Sequence, residues 1–97
     1  SVGSTLLSRR HTHALRLQGL AQIFRTQRTP EGQRIFFGLG AEDGLAVGDG
    51  VDILSVKDRS VLGSAQVVLV RRTDAECLLP EGFTAPISAY VRKSAAA

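Results

Sequence analysis

Short apolar runs separated by glycine, proline and charged residues recur along the chain, at intervals of roughly 10 to 15 positions. Runs of that length predict strands. The most legible stretch is RIFFGLGAEDGLAVGD, residues 34–49, where an apolar strand enters two glycine-acid turns: Gly44 follows Asp43, and Gly48 precedes Asp49. Glycine tolerates positive φ where a chain reverses sharply, so tight connections between short strands are expected. Leu45 and Val47 sit between the turns as apolar plugs. The alternation predicts six strands, over residues 13–25, 33–39, 51–56, 61–70, 75–79 and 87–92. With no helical stretch to cover a sheet, an all-β fold is expected: a small closed or partly open β-barrel of about six short strands, because closure hides hydrogen-bonding edges.

The first segment fits two periods. Leu6, Arg10, His13, Leu17, Ala21 and Phe24 fall near helical spacing, whereas Leu15, Leu17, Gly19, Ala21 and Ile23 alternate with Arg16, Gln18 and Gln22 as in a half-buried strand. Gly19 and the polar alternation favour the strand. The stretch QRTPEGQ, residues 27–33, reads as the turn of a hairpin, with Pro30 fixing φ and Gly32 free to take positive φ. Ile35, Phe37 and Leu39 share one face of the second strand, and Phe36 on the other face implies that both sides are partly covered. Gly63 marks a bulge or sharp bend in the fourth strand.

A chain of 97 residues is expected to form one domain. Its few aromatics, Phe24, Phe36, Phe37, Phe83 and Tyr90, leave the core to Val, Leu, Ile and Ala. The single cysteine, Cys77 in AECLL, can form neither an internal disulfide nor, alone, a zinc site, and reads as a buried small hydrophobe. No apolar stretch approaches the roughly 20 residues that span a bilayer, so no membrane insertion is expected.

Charge is uneven: the first 30 residues hold Arg9, Arg10, Arg16, Arg25 and Arg28 but no acid, within a net charge of +3. These arginines, with Arg71 and Arg72 as further candidates, could contact a phosphate or nucleic acid, or simply solvate the outside of a strand. The Ser-, Leu- and Arg-rich, acid-poor beginning also has the composition of a transit peptide. His11 and His13 would lie on one side of an extended strand with no third ligand nearby, so no metal is expected. GLGAEDG lacks the third glycine and the helix of a dinucleotide loop. Glu42, Asp43, Asp49 and Asp52 are expected to cap backbone N–H groups in turns rather than act as acid and base. Neither an enzyme nor a cofactor is expected, and a small-molecule ligand is not favoured.

The order of an apolar strand, Gly40-Ala41-Glu42-Asp43-Gly44-Leu45, Val47-Gly48-Asp49, Val51-Asp52-Ile53-Leu54 and Leu62-Gly63-Ser64-Ala65-Gln66-Val67 resembles the barrel element of bacterial envelope scaffold proteins. The carboxy-terminal domain of flagellar assembly protein T and the periplasmic barrels of the rod-shape-determining protein MreC are similar over about residues 18–79. The resemblance implies a non-catalytic assembly role, with a protein partner or homo-oligomer, in the periplasm or cell envelope; the cytoplasm is the alternative. Residues 34–49 also resemble the opening of the carboxy-terminal RNA-binding domain of DEAD-box helicases, but VDILSV reads as a strand where those domains place a helix. GLAVGDGVDIL is similar to the second domain of translation GTPases, and Arg9-Arg10 before a barrel resembles the PilZ receptors, whose Asp-x-Ser-x-x-Gly segment does not occur here.

Two functions are therefore expected to compete: protein docking through an exposed strand or the Leu45 and Val47 loop, and RNA or phosphate binding through the arginines. The expected organisation is a basic arm over residues 1–12, the barrel over 13–93 and a disordered tail over 94–97. A start without Met and the ending Ser94-Ala95-Ala96-Ala97 suggest a piece of a larger protein.

Overall fold

The computed structural model describes residues 14, 15 and 17–94. Its strands are β1 (Leu20–Thr29), β2 (Gly32–Phe37), β3 (Gly50–Leu54), β4 (Val61–Val70), β5 (Ala75–Leu78) and β6 (Tyr90–Lys93), with a short 3-10 turn at Ala41–Asp43. They pair in the order β1-β2-β5-β4-β3-β6, and β6 returns to β1, so the all-β barrel is closed. Every pairing is antiparallel. The β1–β2, β3–β4 and β5–β6 connections therefore share one end of the barrel, and the β2–β3 and β4–β5 connections share the other.

Alternation decides what lies inside. Ile23, Ile35, Phe37, Val51, Ile53, Val67, Cys77 and Val91 point inward and are all but fully buried. Burying such side chains contributes roughly 1.5–3 kcal/mol each. Leu39 and Leu45 close the β2–β3 end, and Phe83 plugs the opposite end. Phe83 is what Gly63 makes room for: a Cβ at Gly63 would stand 2.7 Å from the ring. The β4 bulge lies next to it, since Ile53 faces Gly63 but Leu54 faces Val61, leaving Leu62 unpaired.

The long β5–β6 connection is held across its end of the barrel by one buried side chain. Gln33 Nε2 donates to the Ala85 carbonyl at 3.1 Å, and the Ala85 N–H donates to Gln33 Oε1 at 2.8 Å. At the other end the glycine-acid turns form as expected, with φ of 82° at Gly44 and 94° at Gly48. Asp43 accepts from the Gly40 N–H and Asp49 from the Ala46 N–H, the capping role expected of them.

Several boundaries differ from expectation. The first strand starts at Leu20, not residue 13, and Ala14, Leu15 and Leu17 are helical. The cause is tertiary: Leu20, Leu54 and Tyr90 turn outward from β1, β3 and β6, and Leu15 covers them from the helical turn. Gly19, at φ 74°, lets the chain turn from that helix into β1. The guanidinium of Arg59 fastens the same region by donating to Gln18 Oε1 at 3.0 Å and lying over the Tyr90 ring. β1 runs on to Thr29, so the hairpin turn is Pro30 and Glu31 alone. β6 begins at Tyr90 rather than 87 because Ser88 and Ala89 bond Ile23 outside any regular strand. Ser94, expected in a disordered tail, donates to the Gly50 carbonyl and to Asp52.

Candidate functional site

In a closed barrel no strand is an edge along its whole length, so an exposed strand can exist only where one outruns its neighbour. β1 does this. It pairs with β6 only over Leu20, Ala21 and Gln22, and Ile23 then bonds Ser88 and Ala89. Beyond a bulge at Phe24 it continues to Thr29 against β2 alone. The Gln33 carbonyl accepts from Leu79 N–H at 2.9 Å on the side away from β1. The Arg28–Gln33 rung is therefore a non-hydrogen-bonded one, and by alternation Arg28 and Thr26 turn their N–H and C=O groups away from β2. Among the described residues no backbone group meets them. β4 similarly outruns β5 near Val61, where exposed Val56, Val61 and Leu62 make an apolar margin.

Beside the β1 margin the surface is apolar and concave. A cavity of about 260 Å³ lies between Leu15, Ala21, Phe24, Gly38 and Ile87. Its flanks are large side chains in water, Phe24 at 56 % and Ile87 at 60 % exposure. The bulge is what turns Arg25 out of the inward register and sets it opposite Phe36. Phe24 meets Phe36 in a tilted pair at 6.4 Å, and the Arg25 guanidinium lies 4.9 Å above the Phe36 ring. Arg25 is thereby held over an aromatic face instead of ranging freely.

The charges on the neighbouring strands are mutually engaged. Glu76, outward on β5 yet buried, takes Arg34 on one oxygen and Arg71 on the other, the latter at 2.7 Å. Burial pushes the Glu76 carboxyl up, but the hydrogen bonds and charges of Arg34 and Arg71 outweigh it, so the group sits below its ordinary value. Arg71 also holds Asp74 at 2.8 Å, and the hydrogen bonds to Asp74 and Glu76 raise its own proton affinity. Arg72 faces Glu42 at 3.6 Å, Arg92 faces Asp52 at 3.2 Å and Lys93 faces Asp49 at 3.4 Å.

The expected contact residues thus divide. Arg9, Arg10 and Arg16, with His11 and His13, lie outside the described residues. Arg25 and Arg28 fall together on the outrunning half of β1 without a carboxylate among the described residues, whereas Arg71 and Arg72 are engaged by acids. Leu45 is 5 % exposed and belongs to the core, so it offers nothing to a partner; its neighbour Val47 is exposed. The turn aims Leu45 inward because the inner face beyond Leu39 needs an apolar plug. Gln33, Glu76 and Ile87 were not anticipated. Glu76 had a visible signal, a lone acid in an apolar run.

A wider, open groove of about 670 Å³ crosses the outside between Glu31, Asp49, Gln66, Leu78 and Lys93. Asp49 and Lys93 face each other across it at 3.4 Å, and Asp49 is held low by the Ala46 N–H and, against partial desolvation, by Lys93. Burial pushes the Cys77 thiol up to about 12, which leaves it a poor nucleophile. Among the described residues no three of His, Cys, Asp and Glu gather, and no helix is long and apolar enough to cross a membrane.

No model of a known protein family matches the chain, and no curated protein sequence matches it either.

Proposed function

We propose that this barrel is a non-catalytic docking module of a larger assembly, which binds a protein partner by adding a strand to the outer half of β1. The observation that carries this reading is the backbone of Thr26 and Arg28, which no described residue meets, on the strand that leads to the cavity flanked by Phe24 and Ile87. Strand addition uses such a margin: main-chain bonds supply affinity and a neighbouring pocket supplies selectivity. The bacterial envelope or flagellar setting is what the likeness to those scaffold barrels suggests. A free, flat strand margin is also a hazard, which soluble proteins blunt with charge. Arg25 and Arg28 fit that need while leaving the margin usable.

The test is to select peptides from a random display library against the folded protein and map each binder by amide chemical shifts. Binders that move Thr26 and Arg28 are the expected result. A library that yields none, or only binders elsewhere on the barrel, overturns the reading.

Nucleic-acid or phosphate binding is the second reading, favoured by Arg25 and Arg28, which meet no carboxylate among the described residues, on the strand that carries the exposed Phe24 ring. It needs affinity for mixed oligonucleotides that falls steeply with salt. Engagement of Arg34, Arg71, Arg72 and Arg92 by acids leaves it little cationic surface among the described residues.

A further inference from the structure

Independently of the β1 reading, we infer that the free margin of β4 is a self-association edge: two copies pair antiparallel along Val61–Ser64 about a two-fold axis and close a dimer. The margin is open for a definite reason. β5 stops at Leu78, opposite Gln66, so no strand on that side continues along β4 toward Val61. The Val67 N–H and C=O bond Asp49 and Gly48, on the β3 side. By alternation Ala65 and Gly63 face β3 as well, and Ser64 turns its N–H and C=O away from it. Among the described residues no backbone group outside the β3 ladder meets Val61, Leu62 or Ser64.

Charge decides the occupant. Whereas the margin of β1 carries two arginines, the chain from Ser60 to Val70 has no charged residue at all, and Val56, Val61 and Leu62 stand near half exposure beside it. An apolar margin without charge is an aggregation site unless something covers it. A second copy covers it with an identical uncharged row, so no like charges face each other in any register. Two-fold pairing also uses up both margins at once, which stops growth at two. With Gly63 near the axis, Leu62 of one copy faces Ser64 of the other. Running antiparallel, the hairpin tip of one copy, residues 57–60, then arrives where β5 of the other ends, at the groove lined by Leu78, Pro80 and Glu31. Within the tip Asp58 is occupied with the Ser60 N–H at 3.0 Å and Arg59 with Gln18 and the Tyr90 ring. Lys57 is left as its outward charge, and neither Lys57 nor Glu31 meets an opposite charge among the described residues. The pairing brings these two together twice in each dimer.

The experiment is sedimentation equilibrium of the full chain over a wide range of concentration, with amide shifts followed on the same samples. Monomers should pass into dimers and nothing larger, and the Leu62 and Ser64 amides should move in step. Val61→Lys, at an exposed position, places a charge on each uncharged row and should weaken the dimer about tenfold. Lys57→Glu and Glu31→Lys, both on the surface and harmless to the fold, should each weaken it several-fold, and the two changes in one chain should restore it. A monomer at every concentration overturns the inference. So does growth beyond two, since the pairing then is not closed. A dimer that ignores Val61→Lys, or a double exchange that fails to restore association, places the contact elsewhere and overturns it as well. In each case strand addition at β1 stands or falls separately, on its own peptide binders at Thr26 and Arg28.

Discussion

From Leu20 to Ile23, β1 is held by β6 and then by Ser88 and Ala89, and three of its four residues are buried; from Phe24 to Thr29 it has β2 alone, and none is. The residues do not explain the contrast by propensity, since Phe, Thr and Gln in the outer half suit a strand as well as Leu, Ala and Gln in the inner half. Neighbours explain it. The inner half forms a wall of a sealed core, and any change there is felt by the residues around it. The outer half is held only by its hairpin, so its side chains are released for contact with something else. One bulged residue, Phe24, separates the two regimes and also lines the cavity.

The largest effect should come from the inner half. Ile23→Ala removes a side chain that is 1 % exposed, in the middle of the core. Truncations of this kind cost about 2–5 kcal/mol, so urea unfolding should show a clearly lowered midpoint with little change in slope. A loss below 1 kcal/mol would mean that the inner half is no more essential than the outer.

Gln33→Leu should come next. It keeps the bulk but leaves the Ala85 N–H and carbonyl without partners at a buried site. An unmet buried polar group costs about 1–3 kcal/mol. Because Gln33 pairs with Arg28, this change also asks whether loosening the β5–β6 connection reaches the outer half of β1. Amide shifts at Ala85 and Arg28 would show it.

A smaller and pH-dependent effect should follow Glu76→Gln on β5, whose strand supports β2 and, through it, the β1 arm. The folded carboxyl lies below its ordinary value of 4.5, so its contribution is present in full above that value and is lost as pH falls through the lower folded value. The parent should therefore lose stability on acidification below about 4.5 more steeply than the variant. At neutral pH the variant should be the weaker, since Arg34 and Arg71 then face each other without their acid. Parallel acid limbs would show that the network adds nothing.

Much of this arrangement could be read in the sequence. Period-two alternation placed Ile35 and Phe37 inside and Phe36 outside, and the glycine-acid spacing located both turns with their capping acids. What alternation does not encode is which strand outlasts its neighbour, because that depends on register between segments far apart in the chain. Among the described residues the outer half of β1 lacks a second neighbour because β6 begins at Tyr90 and Ile23 is taken by Ser88 and Ala89. The helical turn at Leu15 was hidden for the same reason: Leu54 and Tyr90, which it covers, lie far along the sequence. Apolar character alone could not separate Leu45 from Val47, one turned into the core and the other into water.

The smallest effect on stability should come from the outer half itself, and there the comparison can be made within one strand. Arg28→Ala touches no described carboxylate and should change stability by no more than about 0.5 kcal/mol, as exposed substitutions commonly do. Hydrogen exchange should nonetheless distinguish the halves. The Ile23 N–H, bonded to the Ala89 carbonyl at 2.9 Å, should exchange only on opening of the barrel. The Thr26 and Arg28 N–H groups, which turn away from β2, should exchange orders of magnitude faster in the free protein and slow when a strand is added. Fast exchange at all three would mean that the barrel opens along the β1–β6 seam; protection at Thr26 and Arg28 in the isolated chain would mean that the margin is already covered and is not a docking edge.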